Sequence, residues 1–422
     1  MNELVWVDGV TKESPIESNT VLILGASVRA AAFSALRAGM IPVCADLFSD
    51  LDLTRHASVI RVPGAEYPHG LRRAANLAPM SPWLYVGGLE NHPKLVADIA
   101  ATRPLWGIGP EVLRRVRDPF RVYTCLTRAG LPCPQVRRLD DAPPDTSDWL
   151  VKPFDGAGGR GTRDYSLSTQ YSDPVAGSPT PCSHYLQQRI DGPSYSATFV
   201  ADGKGACLLG LTRQLVGERD LHAKPFHYCG SIGPLPIDQK THADLSRLGQ
   251  VLAAEFGLLG LFGVDEILAG GEFWPVEINP RYTASVEVLE LGLGVPTMTV
   301  HRDACTRRTI APDAVAIGRR VSTEKGIILG KAILFAAESI VVPDLSALLR
   351  NPLDCTGRWP VPRIADVPRA GEQFVAGQPI CTLFAVEDSV DACRRSLFDA
   401  ARRLYGQLTS ATASSTIAAW LS

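Results

Sequence analysis

The chain has 422 residues, of which 45% are hydrophobic and 20% are charged. One ordinary domain holds about 100–200 residues, so we expect two to four units, and the composition is that of a globular protein rather than a disordered or fibrous one. Lysine and arginine number 42 and aspartate and glutamate 44, for a formal net charge of −2. A near-neutral chain has no overall electrostatic reason to bind nucleic acid or an anionic membrane.

The ten cysteines are dispersed, and none forms the CxxC spacing of a zinc ribbon or a redox motif. Several lie in apolar runs, so we predict free core thiols and a reducing, cytoplasmic compartment. The first residues lack a basic segment followed by an apolar run, and no stretch approaches the roughly 20 apolar residues of a membrane span. We therefore expect neither a signal peptide nor a membrane segment.

Residues 20–110 alternate between short apolar runs and helical stretches. Residues 20–24 form the first apolar run, which ends in Gly25-Ala26-Ser27, and a helix is predicted over residues 29–37. Further strands are predicted at 41–46, 83–88 and 105–109. A strand, a tight glycine turn, a helix and a second strand in this order predict a parallel, doubly wound sheet.

The rest of the chain changes character at glycine and proline clusters. A boundary falls near residues 130–134, and polar, proline-rich loops are predicted at 138–148 and 172–183. Strands and glycine turns dominate residues 150–290. After about residue 320 we predict a new unit, with a strand at 331–335, short strands and turns over 366–383, and a closing amphipathic helix over 389–408.

A strand that ends in Lys152 is followed by a glycine-rich loop over residues 156–162. Glycines let the backbone approach phosphate oxygens closely, and successive N–H groups form an anion nest. Lys152 would add a point charge for a phosphate. The lysine precedes the glycines, unlike the P-loop pattern, so the stretch favours a different nucleotide cradle. The plainer interpretation is a hairpin turn with a surface lysine.

Residues 262–267 and 273–281 read as two strands of a hairpin that turns at Ala269-Gly270-Gly271-Glu272. Period-2 alternation puts Glu277 and Asn279 on one face. If Asp265 lies beside them, three oxygen ligands converge, a set that suits Mg²⁺ held together with nucleotide phosphates. The alternative is a solvated polar face on an amphipathic strand.

A third stretch, residues 185–194, reads as a strand that runs into a turn. Its backbone could offer N–H and C=O groups to the edge of an adenine. Taken alone, this pattern is equally that of a plain strand and turn.

The order of these stretches resembles the ATP-grasp superfamily. The resemblance covers roughly residues 20–385, and its most specific element is Glu277-Ile278-Asn279-Pro280-Arg281. The chain is most similar to a carboligase-like branch related to biotin carboxylase and carbamoyl phosphate synthetase, because of this motif and the later Ser285-Val286-Glu287.

The fold class that the resemblance implies is α/β and α+β. We expect a Rossmann-like pre-ATP-grasp domain at 1–112, a two-part ATP-grasp domain at 113–318 with a lid subdomain at about 138–190, and a small β-rich C-terminal domain with a closing helix at 319–422.

The resemblance also implies a role for each matching residue. Lys152 would contact the ATP phosphates, and Arg281 would steady an acyl-phosphate intermediate. The flexible lid would consist of Gly156, Gly158, Gly159, Arg160, Gly161 and Thr162. The adenine would be held by Gln187, Gln188 and Ile190, and Mg²⁺ or Mn²⁺ by Asp265, Glu277 and Asn279.

The chain departs from the family pattern at two places. Family members usually carry a lysine soon after an aspartate where the grasp domain begins, whereas Asp118 is followed here by Pro119-Phe120-Arg121. We therefore assign the lysine's contact with ATP to Arg121 or Arg117. Glutamines replace acids that are common in the adenine hinge, and the ribose-binding acid expected near Ser194 is absent.

The activity that the resemblance implies is ATP-dependent ligation of a carboxylate to an amine or a thiol, through an acyl phosphate and with release of ADP. The expected partners are small-molecule carboxylates and amines, with no nucleic acid or membrane, and a homodimer is common among such relatives. One hypothesis for the pathway is one-carbon cofactor biosynthesis. Arg213, His227 and a turn predicted at 228–233 are candidates for substrate contacts, with surface roles as the alternative.

Three other functions are weighed against this one. A bicarbonate-dependent carboxylase component would phosphorylate bicarbonate instead, and would need a separate biotin carrier because the chain has no Met-Lys-Met signature. A non-catalytic ATP-binding regulatory protein is suggested by the missing lysine and ribose acid. A nicotinamide dehydrogenase is disfavoured, because Ser27 is followed by Val28-Arg29-Ala30 rather than by further glycines.

Overall fold

In the computed structural model the described residues are 6–7, 19–141, 148–165, 183–312, 314, 327–350, 352–353 and 357–410. The predicted loop at 172–183 lies outside these ranges except for its last residue, as do Cys182, Cys355 and the predicted boundary at 318/319. All eight cysteines within the ranges are free, as predicted. Among the described residues, no helix combines the length and the apolar character needed to cross a membrane.

A five-stranded sheet comes first. Its strands are β1 (Trp6–Val7), β2 (Thr20–Leu24), β3 (Ile41–Asp46), β4 (Ser58–Arg61) and β5 (Trp83–Tyr85). Its helices are α1 (Arg29–Arg37), α2 (Leu51–Thr54), α3 (Gly70–Leu77) and α4 (Pro93–Ala100). The spatial order is β1-β4-β3-β2-β5, in which β2 to β5 are parallel and β1 is antiparallel to β4.

The parallel sheet confirms the predicted β2, α1 and β3. Residues 21–24 of β2 are fully buried, as expected for a strand covered on both faces. The strand predicted at 83–88 ends earlier, at Tyr85. The one predicted at 105–109 makes a single bridge, from Leu105 to Trp83, before the chain turns at Gly107 with φ 141°.

Two helices and a smaller antiparallel sheet follow. These are α5 (Pro110–Val116), α6 (Pro119–Arg128), β6 (Val136–Arg138), β7 (Trp149–Pro153), β8 (Arg163–Asp164) and β9 (His184–Gln188), with the strands in the spatial order β6-β9-β7-β8. The Asp118 carboxylate caps α6 by accepting hydrogen bonds from the backbone N–H groups of Phe120 (3.0 Å) and Arg121 (3.3 Å).

The remaining elements build a large antiparallel sheet and its covering helices. The strands are β10 (Ser194–Asp202), β11 (Ala206–Val216), β12 (Tyr228–Gly233), β13 (Leu259–Ala269), β14 (Glu272–Asn279), β15 (Ile328–Phe335), β16 (Ile340–Val341), β17 (Ile364–Ala365), β18 (Gln373–Phe374) and β19 (Pro379–Glu387). The helices are α7 (Gln239–Phe256), α8 (Ala284–Leu293), α9 (Thr297–Arg307) and α10 (Val390–Ser410).

The large sheet has eight strands in the order β14-β13-β10-β11-β12-β15-β19-β17, while β16 and β18 pair separately. Strands β15, β19 and β17 come from the predicted C-terminal unit, and they extend the same sheet through the pairing of β12 with β15. The predicted domain bounds stay predictions, and the sheet continues across the second of them. The predicted strand at 331–335 lies within β15, and the closing helix is α10.

Candidate active site

The hairpin of β13 and β14 brings the predicted metal-binding residues together. Gly270 and Gly271 have φ values of 60° and 80°, and a two-residue type I′ hairpin turn requires positive φ at both central residues. Asp265 lies directly opposite Glu277, and Gly263 lies opposite Asn279. The two carboxylates and the amide therefore occupy one end of the hairpin, as the alternation predicted.

A β-bulge in β14 connects this hairpin to Lys152. Asp265 pairs with Glu277 but Glu266 pairs with Pro275, so Val276 is the extra residue. The carbonyl oxygen of Val276 accepts hydrogen bonds from Lys152 Nζ (3.0 Å) and from Gln187 Nε2 (3.3 Å). Lys152 Nζ also donates to Gln187 Oε1 (3.1 Å). Lys152 of β7 and Gln187 of β9 thus face the carboxylate hairpin.

Asp265 lies in a network of amide hydrogen bonds. Its oxygens accept from Gln214 Nε2 and from Asn279 Nδ2, each at 2.9 Å. Burial and the neighbouring Glu277 carboxylate raise the pKa of Asp265 to about 6. Because the charge of Glu277 disfavours ionisation of Asp265, a cation placed between the two carboxylates would be stabilised.

Glu277 is held in its charged form by arginine and lysine. Its Oε1 accepts from Arg117 Nη1 at 3.0 Å. Burial opposes ionisation, but Arg117 and Lys152 outweigh it and keep the pKa of Glu277 below its ordinary value. Of the two arginines considered for the missing lysine, Arg117 is therefore the one inside the cluster.

Arg281 connects the hairpin to the first sheet. Its Nη2 donates to Asn279 Oδ1 (3.0 Å), its Nη1 to the Tyr282 carbonyl (3.2 Å), and its Nε to Glu90 Oε1 (2.6 Å). Burial disfavours the charged guanidinium, but Glu90 outweighs it and raises the pKa of Arg281. Three of the five guanidinium N–H donors are engaged, which leaves two for a substrate.

The glycine-rich loop is held over the cleft from three directions. The Gly156 carbonyl accepts from Arg117 Nη2 (2.8 Å) and from Asn91 Nδ2 (3.3 Å). The Gly158 carbonyl accepts from the Tyr228 N–H at 3.1 Å. Gly159, with φ 78°, lies so close to Phe226 that a Cβ atom there would collide with the Phe226 carbonyl. Only glycine allows this approach.

The cleft runs from the glycine-rich loop to the hinge after β9. Its lining includes Lys152, Gly158, Gly159, Thr162, Gln187, Gln188, Ile190, Asp265 and Glu277, and an adjoining lobe is lined by Gly156 and Arg160 as well. Gln188 is bound to the segment before β6, because its backbone N–H donates to the Gln135 carbonyl (2.8 Å) and its Oε1 accepts from the Gln135 N–H (3.2 Å). Gly161, also at φ 78°, belongs to the same loop.

Arg121 lies outside this cluster. Its side chain is 61% exposed, pairs with Asp118 at 3.4 Å and faces a separate recess beside Glu255 and Phe256. The reason is helical geometry: Arg121 lies in the first turn of α6, on its solvent side, whereas Arg117 precedes the Asp118 cap and points back at β14.

The structure describes all three candidates for substrate contacts. Arg213 on β11 lies 5.2 Å from the centre of the Tyr195 ring and donates to its hydroxyl (3.3 Å). His227 lies beside the glycine-rich loop, and burial, with Arg160 and Lys224 nearby, lowers its pKa. The turn predicted at 228–233 is wrong: these residues are strand β12, and Gly230 is required because a Cβ there would collide with the Lys331 carbonyl of β15.

Sequence reasoning missed Glu90, Asn91 and Gln214. Glu90 and Asn91 lie in a short 3₁₀ turn after the carboxyl end of β5. Ligands of open α/β sheets bind at the carboxyl ends of parallel strands, so the polar pair that follows Gly87-Gly88 was the available signal. Gln214 had no local signal, because its role depends on the antiparallel pairing of β11 through β10 to β13.

The oxygens of Asp265, Glu277 and Asn279 suit Mg²⁺ bound together with phosphates better than they suit a metal ion held by protein ligands alone. Among the described residues, no group of three His, Cys, Asp or Glu side chains is arranged to hold a metal ion. Magnesium is typically held by one or two carboxylates, together with substrate phosphates and water. Asp265 and Glu277 with the amide oxygen of Asn279 fit that mode.

Comparison with known proteins finds one matching domain family and relatives of low identity. Residues 116–285 match the ATP-grasp domain family. The chain is 21% identical over 294 residues to an uncharacterised protein of Methanocaldococcus jannaschii, covering 67% of this chain and 64% of that one. It is 24% identical over 312 residues to the carbamoyl phosphate synthase large chain of Kocuria rhizophila, covering 68% of this chain and 28% of that one. The chain thus spans less than two thirds of either relative.

Solved structures share the fold at low identity. The biotin carboxylase of Campylobacter jejuni has a TM-score of 0.63 and 15% identity, with 90% of each chain covered. The L-amino acid ligase of Bacillus licheniformis has a TM-score of 0.61 and 15% identity, with 90% of this chain and 96% of that one covered.

Proposed function

We propose that this chain, whose residues 116–285 match the ATP-grasp domain family, is an ADP-forming ligase. It would join a carboxylate to an amine or a thiol through an acyl phosphate. One observation carries the proposal. Lys152, Asp265 and Glu277 line one cleft beneath a glycine-rich loop. Arg117 bonds Glu277 and lines the adjoining lobe, and Arg281 bonds Asn279 at the end of the same hairpin. A carboxylate and a triphosphate repel each other, so a ligase needs this concentration of positive charge where they meet.

The nucleotide end of the cleft is assigned to β7, β9 and the loop between them. Lys152 supplies a charge to the phosphates, with Arg117 in place of the second lysine. The backbone N–H groups of residues 156–162 contribute an anion nest, for which glycines with positive φ are suited. Gln187, Gln188 and Ile190 hold the adenine.

Magnesium is assigned to Asp265, Glu277 and Asn279. The bound ion would neutralise phosphate charge and fix the γ-phosphate for in-line attack. The residues themselves prepare the site: Arg117 keeps Glu277 ionised, and the Gln214 and Asn279 amides orient the Asp265 carboxylate.

The reacting carboxylate is assigned to a position beside Arg281, which bonds Asn279 at the end of the hairpin. Its oxygen attacks the γ-phosphorus, ADP leaves, and the acyl phosphate is then cleaved by the amine or thiol with loss of inorganic phosphate. The two unused N–H groups of Arg281 stabilise the charge that develops on the acyl phosphate. The closed loop excludes water, which would otherwise hydrolyse that intermediate.

The test is ADP release by the purified protein against a panel of carboxylates, each with and without amines and thiols, with mass spectrometry of the products. We expect release that depends on both substrates and falls by roughly a hundredfold in Lys152→Met and Asn279→Ala. Arg114→Met, an exposed residue of α5, is the control. Pterin and furan carriers with glutamate form one arm of the panel, which tests the one-carbon hypothesis.

Two results would overturn the proposal. ADP release that needs bicarbonate and no amine or thiol would favour the carboxylase. Tight ATP binding without ADP release, unchanged in Asn279→Ala, would favour the regulatory binder.

A further inference from the structure

Three arginines surround a recess between α5, α6 and the end of α7, which we call the arginine recess. It has about 630 Å³ of empty space counted out to its open mouth. Among the described residues, it shares no lining residue with the cleft or with the adjoining lobe. Its lining consists of Arg115, Phe120, Arg121, Thr124, Cys125, Arg128, Glu255 and Phe256.

Arg115 offsets the negative end of a helix at this recess. Its Nη2 donates to the carbonyl oxygen of Phe256, the last residue of α7, at 2.8 Å. The C-terminal end of a helix carries partial negative charge, and a guanidinium group at that position compensates it. The end of α7 therefore does not repel an anion that is held in the recess.

Arg121 and Arg128 form surface ion pairs that leave them open to a ligand. Arg121 Nε lies 3.4 Å from an oxygen of Asp118. Arg128 Nη2 donates to the Glu255 carboxylate. The two arginine side chains are 61% and 68% exposed, and pairs of this kind contribute about 1 kcal/mol or less. Because a guanidinium group has five N–H donors, each arginine keeps donors for a ligand while its pair persists.

The rest of the lining is uncharged. The ring of Phe120 is half-buried, and the hydroxyl group of Thr124 donates to the Phe120 carbonyl at 2.8 Å. Cys125 and Phe256 are buried, and burial raises the pKa of Cys125, so that its thiol stays neutral near pH 7. The recess therefore offers a small organic body an aromatic surface next to three guanidinium groups.

We propose that the arginine recess binds a small organic phosphate, with the phosphate group held by the arginines and the organic body against Phe120. A phosphate monoester carries about −1.5 to −2 charges at pH 7 and three acceptor oxygens. Three arginines and one glutamate give the lining a net charge of +2, which complements that charge. A planar guanidinium group donates two parallel N–H groups to phosphate oxygens, a geometry that an ammonium group does not offer.

The probe is phenyl phosphate, with benzyl alcohol as an uncharged analogue, and saturation-transfer NMR on the full chain measures binding. We expect saturable binding of the phosphate and at least about tenfold weaker binding of the alcohol. Arg121→Met and Arg128→Met should each weaken phosphate binding by at least about fivefold. Arg121→Lys should weaken it by at least about threefold, because lysine keeps the charge but not the fork. Glu255→Gln should strengthen it, since it removes the acceptor that competes for Arg128.

Two control variants locate the binding. Arg114→Met removes an exposed arginine of α5 outside the recess, and Lys152→Met removes the lysine of the cleft. Both should retain phosphate binding. Thermal unfolding of each variant checks its fold, and the arginines at positions 121 and 128 are exposed, so we expect wild-type midpoints.

Four results would overturn the proposal. They are no saturable binding, equal binding by Arg121→Met and Arg114→Met, undiminished binding by Arg121→Lys, which would indicate unspecific attraction to positive charge, and loss of binding in Lys152→Met, which would place the phosphate in the cleft. ATP-dependent activity is not measured in any arm, so a failure here is separate from a failure of the ligase proposal.

Discussion

Glu90, which follows the last strand of the first sheet, contacts Arg281 of the proposed site. Only 1% of its side chain is exposed; Oε1 accepts from Arg281 Nε, and Oε2 accepts from the Gly88 N–H at 2.6 Å. It thereby holds the Arg281 guanidinium in place from the side of the first sheet. Glu90 is thus a positioning residue for Arg281.

We predict that Glu90→Gln lowers kcat by roughly tenfold or more and leaves the KM for ATP nearly unchanged, because the arginine is misoriented while the nucleotide contacts persist. Steady-state kinetics with ADP release as the readout checks this. Glu111→Gln, an exposed acid of α5, is the control. Equal losses in kcat and in ATP affinity would contradict the positioning role and indicate a general loss of structure.

Arg117 and Arg121, the two arginines considered for the contact with ATP, differ in their surroundings. Arg117 bonds Glu277 and the glycine-rich loop, whereas Arg121 bonds only its own helix cap within the described residues. We predict that Arg117→Met weakens ATP binding by at least about tenfold and that Arg121→Met changes it less than twofold, as expected for a lost charge-assisted contact against an exposed pair. Calorimetric titration with a non-hydrolysable ATP analogue measures the affinity of both variants. A larger loss of affinity in Arg121→Met than in Arg117→Met would mean that Arg121, and not Arg117, contacts the nucleotide.

At the scale of elements, the glycine-rich loop offers a matched pair of substitutions. Gly158 and Gly159 both have positive φ, so alanine costs roughly 1–2 kcal/mol at either position. Only at Gly159 would the new Cβ collide with the Phe226 carbonyl; at Gly158 no described atom lies within 4 Å of it. We predict that Gly159→Ala raises the KM for ATP several times more than Gly158→Ala does. Equal KM values in the two variants would mean that the contact with Phe226 does not hold the loop.

Helix α9 gives a prediction about pH. His301 on this helix accepts the Leu261 N–H at Nδ1 (2.9 Å), and its Nε2 contacts the Trp106 carbonyl (3.2 Å). Burial lowers the pKa of His301 to about 4, against an unfolded value of about 6.5. The unfolded state therefore binds the proton first. The neutral side chain's contribution to stability is fully present above about pH 6.5 and is lost as the pH falls from there to about 4, on the order of 3 kcal/mol.

His301→Gln checks this sign, because glutamine can accept from Leu261 and donate to Trp106 without titrating. Urea unfolding between pH 4 and 8 should show the wild type losing stability relative to the variant as the pH falls. A difference that is constant with pH would contradict the prediction. Buried Asp46, whose pKa is raised to about 7, titrates in both proteins and cancels in the comparison.

Elements with local patterns could be predicted, whereas contacts between elements could not. The bounds of β2, α1 and β3 follow from apolar runs and glycine stops, and the β13–β14 turn follows from its glycine pair. The bulge at Val276 depends on the register with β13, which no local signal sets. The hydrogen bond between Arg281 and Glu90 joins residues 191 positions apart, so no local pattern in a single sequence predicts it.

At the scale of the whole molecule, a buried ionic centre joins distant parts of the chain. It consists of Arg29 on α1, Asp52 on α2, Glu287 on α8, Lys331 on β15 and Asp366 after β17. Arg29 contacts Glu287 (2.5 Å), Asp366 (2.7 Å) and Asp52 (3.6 Å), and Lys331 contacts Glu287 (3.0 Å). Burial opposes the ionisation of Glu287, but Arg29 and Lys331 outweigh it and lower its pKa. The first sheet, the proposed ATP-binding part and the C-terminal strands therefore share one set of charges.

Removing Arg29 leaves three carboxylates around a single lysine in a buried region. We predict that Arg29→Met lowers the free energy of unfolding by roughly 3–5 kcal/mol, since breaking a buried pair leaves charge uncompensated. Arg72→Met, which removes an exposed pair with Asp98, should cost less than about 1 kcal/mol. Because the ionic centre connects the first sheet to the large sheet, we also expect the two sheets of Arg29→Met to unfold at different midpoints. Near-ultraviolet circular dichroism and proteolysis within residues 20–110 should then report different midpoints. Coincident midpoints together with a loss below about 1 kcal/mol would show that apolar packing alone holds the two sheets together.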